Sequence, residues 1–251
     1  MSSALPRTDA AAIVAALLGC AAAAWLVTAQ KAASMGGMGG MAMVGAGLFI
    51  VTWVVMMVAM MFPAIAPMVL THAGMVRSRG DGTVPTVAFV VGYLVVWTAA
   101  GLVPLGAVQF VGSSIAAPIN GWLPRLGGAV VVLAGVYQLT PLKNACLRAC
   151  RSPLSFILTH DFGGGRSGAA RAGISHGLHC LGCCWALMAV LAVLGLMNLA
   201  WMAAFAVVFF LEKMWRHGIM LSRIAGAVCV ILGLAVISRP DVIHLLVRPM
   251  A

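Results

Sequence analysis

The chain has 251 residues, of which 63% are hydrophobic and only 8% are charged. This composition excludes an ordinary soluble domain, because apolar runs long enough to cross a bilayer as helices recur along the chain. The net charge of +10 does not indicate a nucleic-acid-binding protein, since basic residues in a membrane protein usually mark its cytoplasmic loops and no basic patch with interleaved aromatic residues appears. We expect an all-α, polytopic transmembrane helix bundle embedded in a lipid bilayer.

About seven apolar segments are expected to be the spans of a single integral membrane domain, residues 1–251. The first segment exceeds the usual core of a signal peptide, so we expect it to be retained as a helix. Lys and Arg concentrate in the loops after the second, fourth and sixth segments, which places those loops and the N-terminus in the cytoplasm. The expected spans are residues 10–29, 44–70, 84–105, 126–142, 172–197, 199–211 and 219–237.

A glycine-rich stretch between the first two spans carries four methionines, Met35, Met38, Met41 and Met43. Its glycine pairs disfavour a helix. Two interpretations stay open. The stretch is either a flexible linker with incidental methionines or a loose capture site for a soft metal, since several thioethers hold Cu(I) without strong competition from hard ions.

The second span contains two methionine pairs. Met56 lies one helical turn from Met60, and Met57 lies one turn from Met61, so each pair shares a helix face. Methionine also fills helix contacts in any core, which is the alternative interpretation. Pro63 follows at once and is expected to kink the helix. Such breaks in membrane helices often line a cavity, so metal binding by the thioethers and core packing both stay open.

Two cysteines, Cys146 and Cys150, lie between Pro141 and Pro153 after the fourth span. They are four residues apart and share a face if the segment is a short helix near the membrane interface. Three basic side chains surround them, and cationic neighbours favour the thiolate, which is the form that binds metals. The alternative is a basic anchor with two incidental cysteines.

The fifth span begins with a stripe of metal-ligand side chains: His176, His179, Cys180, Cys183 and Cys184. Their steps of three, one, three and one place all five on one side of a helix. Thiolate and imidazole ligands suit Cu(I) and Zn(II) rather than magnesium or calcium. We predict a metal site here that takes Cu(I), with zinc as the alternative cofactor. The competing interpretation is that the cysteines are small core residues and the histidines lie at the water interface.

Glu212 is the one carboxylate next to a spanning segment. Polar groups at such positions are costly unless they are paired. We expect Glu212 to form an ion pair with Lys213 or Arg216, and a proton relay is the alternative.

Four sequence motifs together resemble a bacterial family of multi-pass membrane proteins of unknown function that are described as metal-binding. They are MMVAMMFP at residues 56–63, QLTPLKNACLRACRSP at 138–153, GLHCLGCCWALM at 177–188, and the pair Glu212-Lys213. The resemblance implies a multi-pass protein of the bacterial inner membrane with a metal site. It implies no particular substrate.

These residues predict a soft-metal-binding membrane protein that acts in copper transport or metal delivery across the inner membrane. In the expected topology, the methionine-rich loop faces outward, the methionine pairs lie in the cytoplasmic half of the second span, and the thiols and imidazoles lie near the cytoplasmic face. Metal affinity would therefore increase inward. The expected partners are the metal ion and either a metallochaperone or a membrane metalloenzyme, for which the chain would be an accessory subunit. A thiol–disulfide redox protein using Cys180 and Cys183 is the other alternative, because C-x-x-C is the redox spacing. Enzymatic catalysis is not expected, since no catalytic triad or carboxylate pair is visible.

Overall fold

The computed structural model describes residues 5–35, 45–114, 122–159, 164–196 and 198–239. Helices and no β-strands form in these ranges, which confirms the expected all-α bundle. In chain order the helices are α1 (Arg7–Met35), α2 (Ala46–Ser78), α3 (Val84–Ala100), α4 (Leu102–Ser114), α5 (Trp122–Gln138), α6 (Pro141–Arg151), α7 (Pro153–Thr159), α8 (Gly165–Leu194), α9 (Leu199–Met214) and α10 (Gly218–Ser238).

Five helical segments of the described chain are long and apolar enough to cross a membrane. A sixth candidate is the pair Pro124–Gln138 and Pro141–Arg151, which bends by 64° at its break. Helix α9, expected to be a span, has 16 residues and is about 24 Å long, shorter than the hydrocarbon core of about 30 Å. The number seven and the cytoplasmic N-terminus stay predictions. The five segments are Arg7–Ala33, Ala46–Ser78, Val84–Gln109, Gly165–Leu194 and Gly218–Ser238.

Several helices extend beyond their expected spans, among them α2 and α8, which carry the buried methionines and cysteines. Helix α2 continues through Pro63 and Pro67 to Ser78 without ending at either proline. Helix α8 begins at Gly165, seven residues before the expected span, because the alanines and arginines that follow are good helix formers. The short helix expected between Pro141 and Pro153 is present as α6.

Close helix pairs build the core of the bundle. Helix α3 packs along α8, where a side chain at Gly173 would overlap the backbone carbonyl of Phe89. Small residues allow membrane helices to approach in this way. Helix α2 is joined to α3 by the Trp53 indole, which donates a hydrogen bond to the Trp97 carbonyl oxygen over 2.8 Å. The buried methionines of α2 belong to the same hydrophobic core as α3 and α8, and α6 and α9 also pack against helices of this core.

Candidate metal centre

Three buried cysteines from two helices meet in the interior. Cys150 comes from α6, and Cys180 and Cys183 come from α8; their sulfurs all lie within 4.8 Å of one another. The three residues are 8%, 1% and 0% exposed, and all are free thiols. The sequence left open whether its two cysteine clusters form one site. The structure joins them through Cys150, and we call this group the three-cysteine centre.

The spacing of these sulfurs fits a metal ion. A metal–sulfur bond of about 2.3 Å, as zinc makes, places two sulfurs of a trigonal site about 4.0 Å apart. The Sγ atoms of Cys150 and Cys183 are 3.9 Å apart. Cys184, which is also buried, has its Sγ 3.4 Å from that of Cys183 but is not a member of the group. The donors are therefore three sulfurs with a fourth beside them, which suits a soft cation.

Cys146 does not enter the centre, although it lies on the same helix as Cys150. It is half-buried and lies against Gly182 of α8, where an added Cβ would come within 2.7 Å of its sulfur. The neighbouring Tyr137 hydroxyl donates a hydrogen bond to the Gly182 carbonyl oxygen over 2.7 Å. Because one helical turn separates the two cysteines, they meet α8 at different heights.

His176 and His179 face an aromatic cluster rather than the three sulfurs. The His176 ring is buried, and its centroid lies 5.4 Å from that of Phe156 and 6.1 Å from that of Tyr93. Its Nδ1 has no hydrogen-bond partner among the residues that the structure describes. The Nδ1 of His179 lies 2.8 Å from the Ser175 carbonyl oxygen. The predicted stripe is thus divided, with thiols on one side and imidazoles towards the aromatic rings.

The four methionines of the α2 pairs are all fully buried, and Met61 contacts a lysine that touches the centre. Met61 Sδ lies 4.0 Å from the Nζ atom of Lys213, which in turn lies 3.0 Å from Cys180 Sγ. Met56, Met57 and Met60 are buried in the same core. The capture site expected in the glycine-rich stretch stays a prediction, because the side chain of Met35 and all of Met38, Met41 and Met43 lie outside the described residues.

Buried charges surround the sulfurs. Glu212 of α9 accepts a hydrogen bond from Lys143 of α6 at 2.9 Å, and these side chains are 1% and 0% exposed. The sequence pointed to Lys213 or Arg216 as the partner. Consecutive residues on a helix point about 100° apart, and Lys213 accordingly turns away from Glu212 towards Cys180. The second oxygen of Glu212, Oε1, has no hydrogen-bond partner within the described ranges.

Two residues that touch the centre were not assigned to it by sequence reasoning. Lys213 donates to Cys180, and the Tyr93 hydroxyl lies 3.2 Å from the same sulfur. The available signal was the Glu212-Lys213 pair at the end of an apolar helix, because two adjacent charges inside a membrane protein need two separate partners. For Tyr93 no local signal exists, since its contact is 87 residues distant in sequence.

A family model described as copper chaperone matches residues 50–236. The chain belongs to this family. No curated protein and no solved structure matches it significantly. The matched range contains the three-cysteine centre, the α2 methionines and the buried charges, whereas the glycine-rich methionine stretch precedes it. The family member is thus a helical protein with helices long and apolar enough to span a membrane, and with three interior cysteines close enough together that they could hold a metal ion.

Proposed function

We propose that this copper-chaperone family member binds Cu(I) at the three-cysteine centre within the bacterial inner membrane and acts in copper transport or delivery. The observation that carries the proposal is the meeting of Cys150 with Cys180 and Cys183 within 4.8 Å. Copper is the cargo in this function, taken up at one side of the bundle and passed to an acceptor.

The donor set favours copper over the more abundant hard cations. Thiolates select Cu(I) and zinc, whereas magnesium and calcium require several oxygen ligands, and the three grouped ligand atoms of the centre are all sulfurs. Burial adds to this preference, because it excludes the water that a hard cation would retain. Zinc remains the competing metal, and a four-coordinate zinc site would draw on Cys184 or on His176.

Weaker ligands lie next to the centre and provide a route towards it. Thioethers bind Cu(I) less tightly than thiolates, and Met61 is held beside Cys180 by contact with the same lysine. His176 lies one helical turn from Cys180, and its Nδ1 has no hydrogen-bond partner in the part of the chain that the structure describes. A copper ion that moves from Met61 to the thiolates therefore goes from weak to strong ligands. The acceptor would be a metallochaperone or a membrane metalloenzyme that removes the ion.

The test is copper binding by the purified full-length protein in detergent under anaerobic conditions. We expect the wild type to retain one Cu(I) per chain against a chromophoric Cu(I) chelator. The variant Cys150→Ser/Cys180→Ser/Cys183→Ser should retain none. Cys229→Ser is the matched control, because Cys229 is a buried cysteine of α10 outside the centre. A wild type that retains no copper, or a triple variant that retains as much as the wild type, would refute the proposal.

The same preparation tests the thiol–disulfide alternative. Its structural support is the 3.4 Å separation of the Cys183 and Cys184 sulfurs and the 3.9 Å separation of Cys183 from Cys150. A redox protein would yield a mixed disulfide through Cys180 or Cys183 when trapped in intact cells. Recovery of that adduct from a protein that holds no copper would favour the redox function over copper delivery.

A further inference from the structure

Lys213 is a buried cation whose polar contacts in the described structure are sulfur atoms. Its Nζ lies 3.0 Å from Cys180 Sγ and 4.0 Å from Met61 Sδ, and the residue is 5% exposed. The carboxylate next to it in sequence, Glu212, is already paired with Lys143. An ammonium group is costly inside a membrane protein unless an anion compensates it. The group in contact with Lys213 that can supply this anion is the Cys180 thiol, when it is deprotonated to the thiolate.

The buried charges near the centre also bear on its metal-loaded state. Lys143 and Glu212 cancel, so Lys213 leaves one positive charge in the interior. Cu(I) carries one positive charge, and a centre of two or three thiolates around it has a net charge of minus one or minus two. Such an anion is unfavourable in a low-dielectric interior without a nearby cation.

Position distinguishes Lys213 from the other basic residues near the centre. Arg151 of α6 donates to the backbone carbonyl oxygens of Glu212 and Arg216, and Lys143 is committed to Glu212. The Lys213 ammonium reaches a ligand sulfur directly and is held there by α9. Sulfur can accept this hydrogen bond through one lone pair while another lone pair binds the metal.

We propose that Lys213 is the built-in counter-charge of the copper–thiolate centre, and that its ammonium stays on Cys180 and stabilises the metal-loaded anionic state. The inference rests on the proposed function, because it presupposes that copper binds the three cysteines. It assigns Lys213 a positioning role through Cys180 rather than a role as a ligand. The opposite possibility is that the ammonium occupies the place of copper between Met61 and Cys180 and must leave before the metal enters.

The experiment measures Cu(I) affinity by chelator competition for the full-length wild type, Lys213→Met, Lys213→Gln and Lys213→Arg. Methionine keeps the length and apolar character of the side chain but removes the charge, and glutamine keeps a hydrogen-bond donor without the charge. We expect both variants to bind Cu(I) about 100-fold more weakly. This loss corresponds to part of the interaction energy between two unit charges about 4 Å apart at an effective dielectric constant near 20. Arginine keeps the charge, and we expect it to stay within about tenfold of the wild type.

The matched control is Lys143→Met/Glu212→Gln, which removes a buried ion pair without changing the net charge. We expect its Cu(I) affinity to stay within about threefold of the wild type. Unchanged or tighter copper binding by Lys213→Met would overturn the counter-charge role and favour displacement of the ammonium. If the neutral variants do not fold, Lys213→Arg still tests the counter-charge role, because arginine keeps the positive charge. An arginine variant that binds copper about 100-fold more weakly would also overturn that role. A wild type without copper affinity would instead refute the proposed function.

Discussion

Replacing Cys150 with serine tests a contact that the sequence did not predict, namely the approach of Cys150 to Cys180 and Cys183. Cys150 is the single contribution of α6 to the three-cysteine centre, and Cys146 lies four residues earlier on the same helix without joining it. The variants Cys150→Ser and Cys146→Ser therefore carry the same chemical change on the same helix. Any difference between them in copper binding reports the position of the sulfur rather than the loss of a cysteine.

The expected loss follows from the geometry that remains. Without Cys150, the sulfurs of Cys180 and Cys183 are still within 4.8 Å. Two-coordinate copper with bonds of about 2.3 Å needs sulfurs about 4.6 Å apart, so weaker binding should survive. Loss of an outer-shell partner already costs 10- to 100-fold in metal affinity, and loss of a direct ligand should cost at least about 100-fold. Cys146→Ser should change the affinity by less than about threefold, because its sulfur lies outside the centre.

Two measurements check this prediction. Competition with a chromophoric Cu(I) chelator gives the affinity of each variant, and X-ray absorption on the loaded protein gives the number of sulfur ligands. We expect three sulfurs in the wild type and in Cys146→Ser, and two in Cys150→Ser. Equal affinities for the two variants, or a larger loss in Cys146→Ser, would refute the assignment of Cys150 to the site.

Three further substitutions probe the surroundings of the centre. Met61→Leu keeps the side-chain volume but removes the thioether, and we expect copper to load about tenfold more slowly in stopped-flow mixing, with little change in equilibrium affinity. Glu212→Gln leaves Lys143 buried without a carboxylate, which should cost about 3–5 kcal/mol and lower the thermal midpoint in detergent by about 10 °C. Gly173→Ala puts a methyl group into the α3–α8 contact and should destabilise the protein by about 1–3 kcal/mol. Gly47→Ala adds the same methyl group where the structure leaves open space, so it should leave the thermal midpoint unchanged.

Each of these predictions has a result that contradicts it. A Met61→Leu protein that loads copper at the wild-type rate would remove the thioether from the route. For the ion pair, Lys143→Met/Glu212→Gln should recover part of the stability lost in Glu212→Gln, and a double variant less stable than the single one would contradict the pairing argument. Equal thermal midpoints for Gly173→Ala and Gly47→Ala would contradict the close α3–α8 packing.

The helical bundle and its soft ligands could be predicted from the sequence because both depend on local pattern. Long apolar runs predict membrane helices, and residues three and four apart predict a shared face. That rule placed Cys180, Cys183 and Cys184 on one face together with His176 and His179, and in the structure the three cysteines are buried. It does not say what a face packs against, and the structure directs the imidazole of His176 to aromatic rings instead of to the sulfurs.

Contacts between helices were beyond the sequence. Whether Cys150 or Cys146 lies beside Cys180 and Cys183 depends on where along its axis α6 contacts α8. The residue spacing within α6 does not determine that position. The partner of Glu212 was misjudged for a related reason. Neighbours in sequence suggested Lys213, but adjacent side chains on a helix diverge, and the carboxylate met Lys143, 69 residues away, instead.

The unequal numbers of charges connect the composition of the chain with its site. The sequence has 15 Lys and Arg but only five Asp and Glu, and most of the basic residues can be solvated at the membrane surface. Among the described residues, Lys143, Lys213 and Glu212 are the buried charges. One carboxylate cannot compensate two charged lysines, and in the proposed centre the further anion is the thiolate of Cys180, which lies in contact with Lys213. A buried lysine without a carboxylate, beside cysteines at helical spacing, is therefore a physical indication of a thiolate site in a membrane helix bundle.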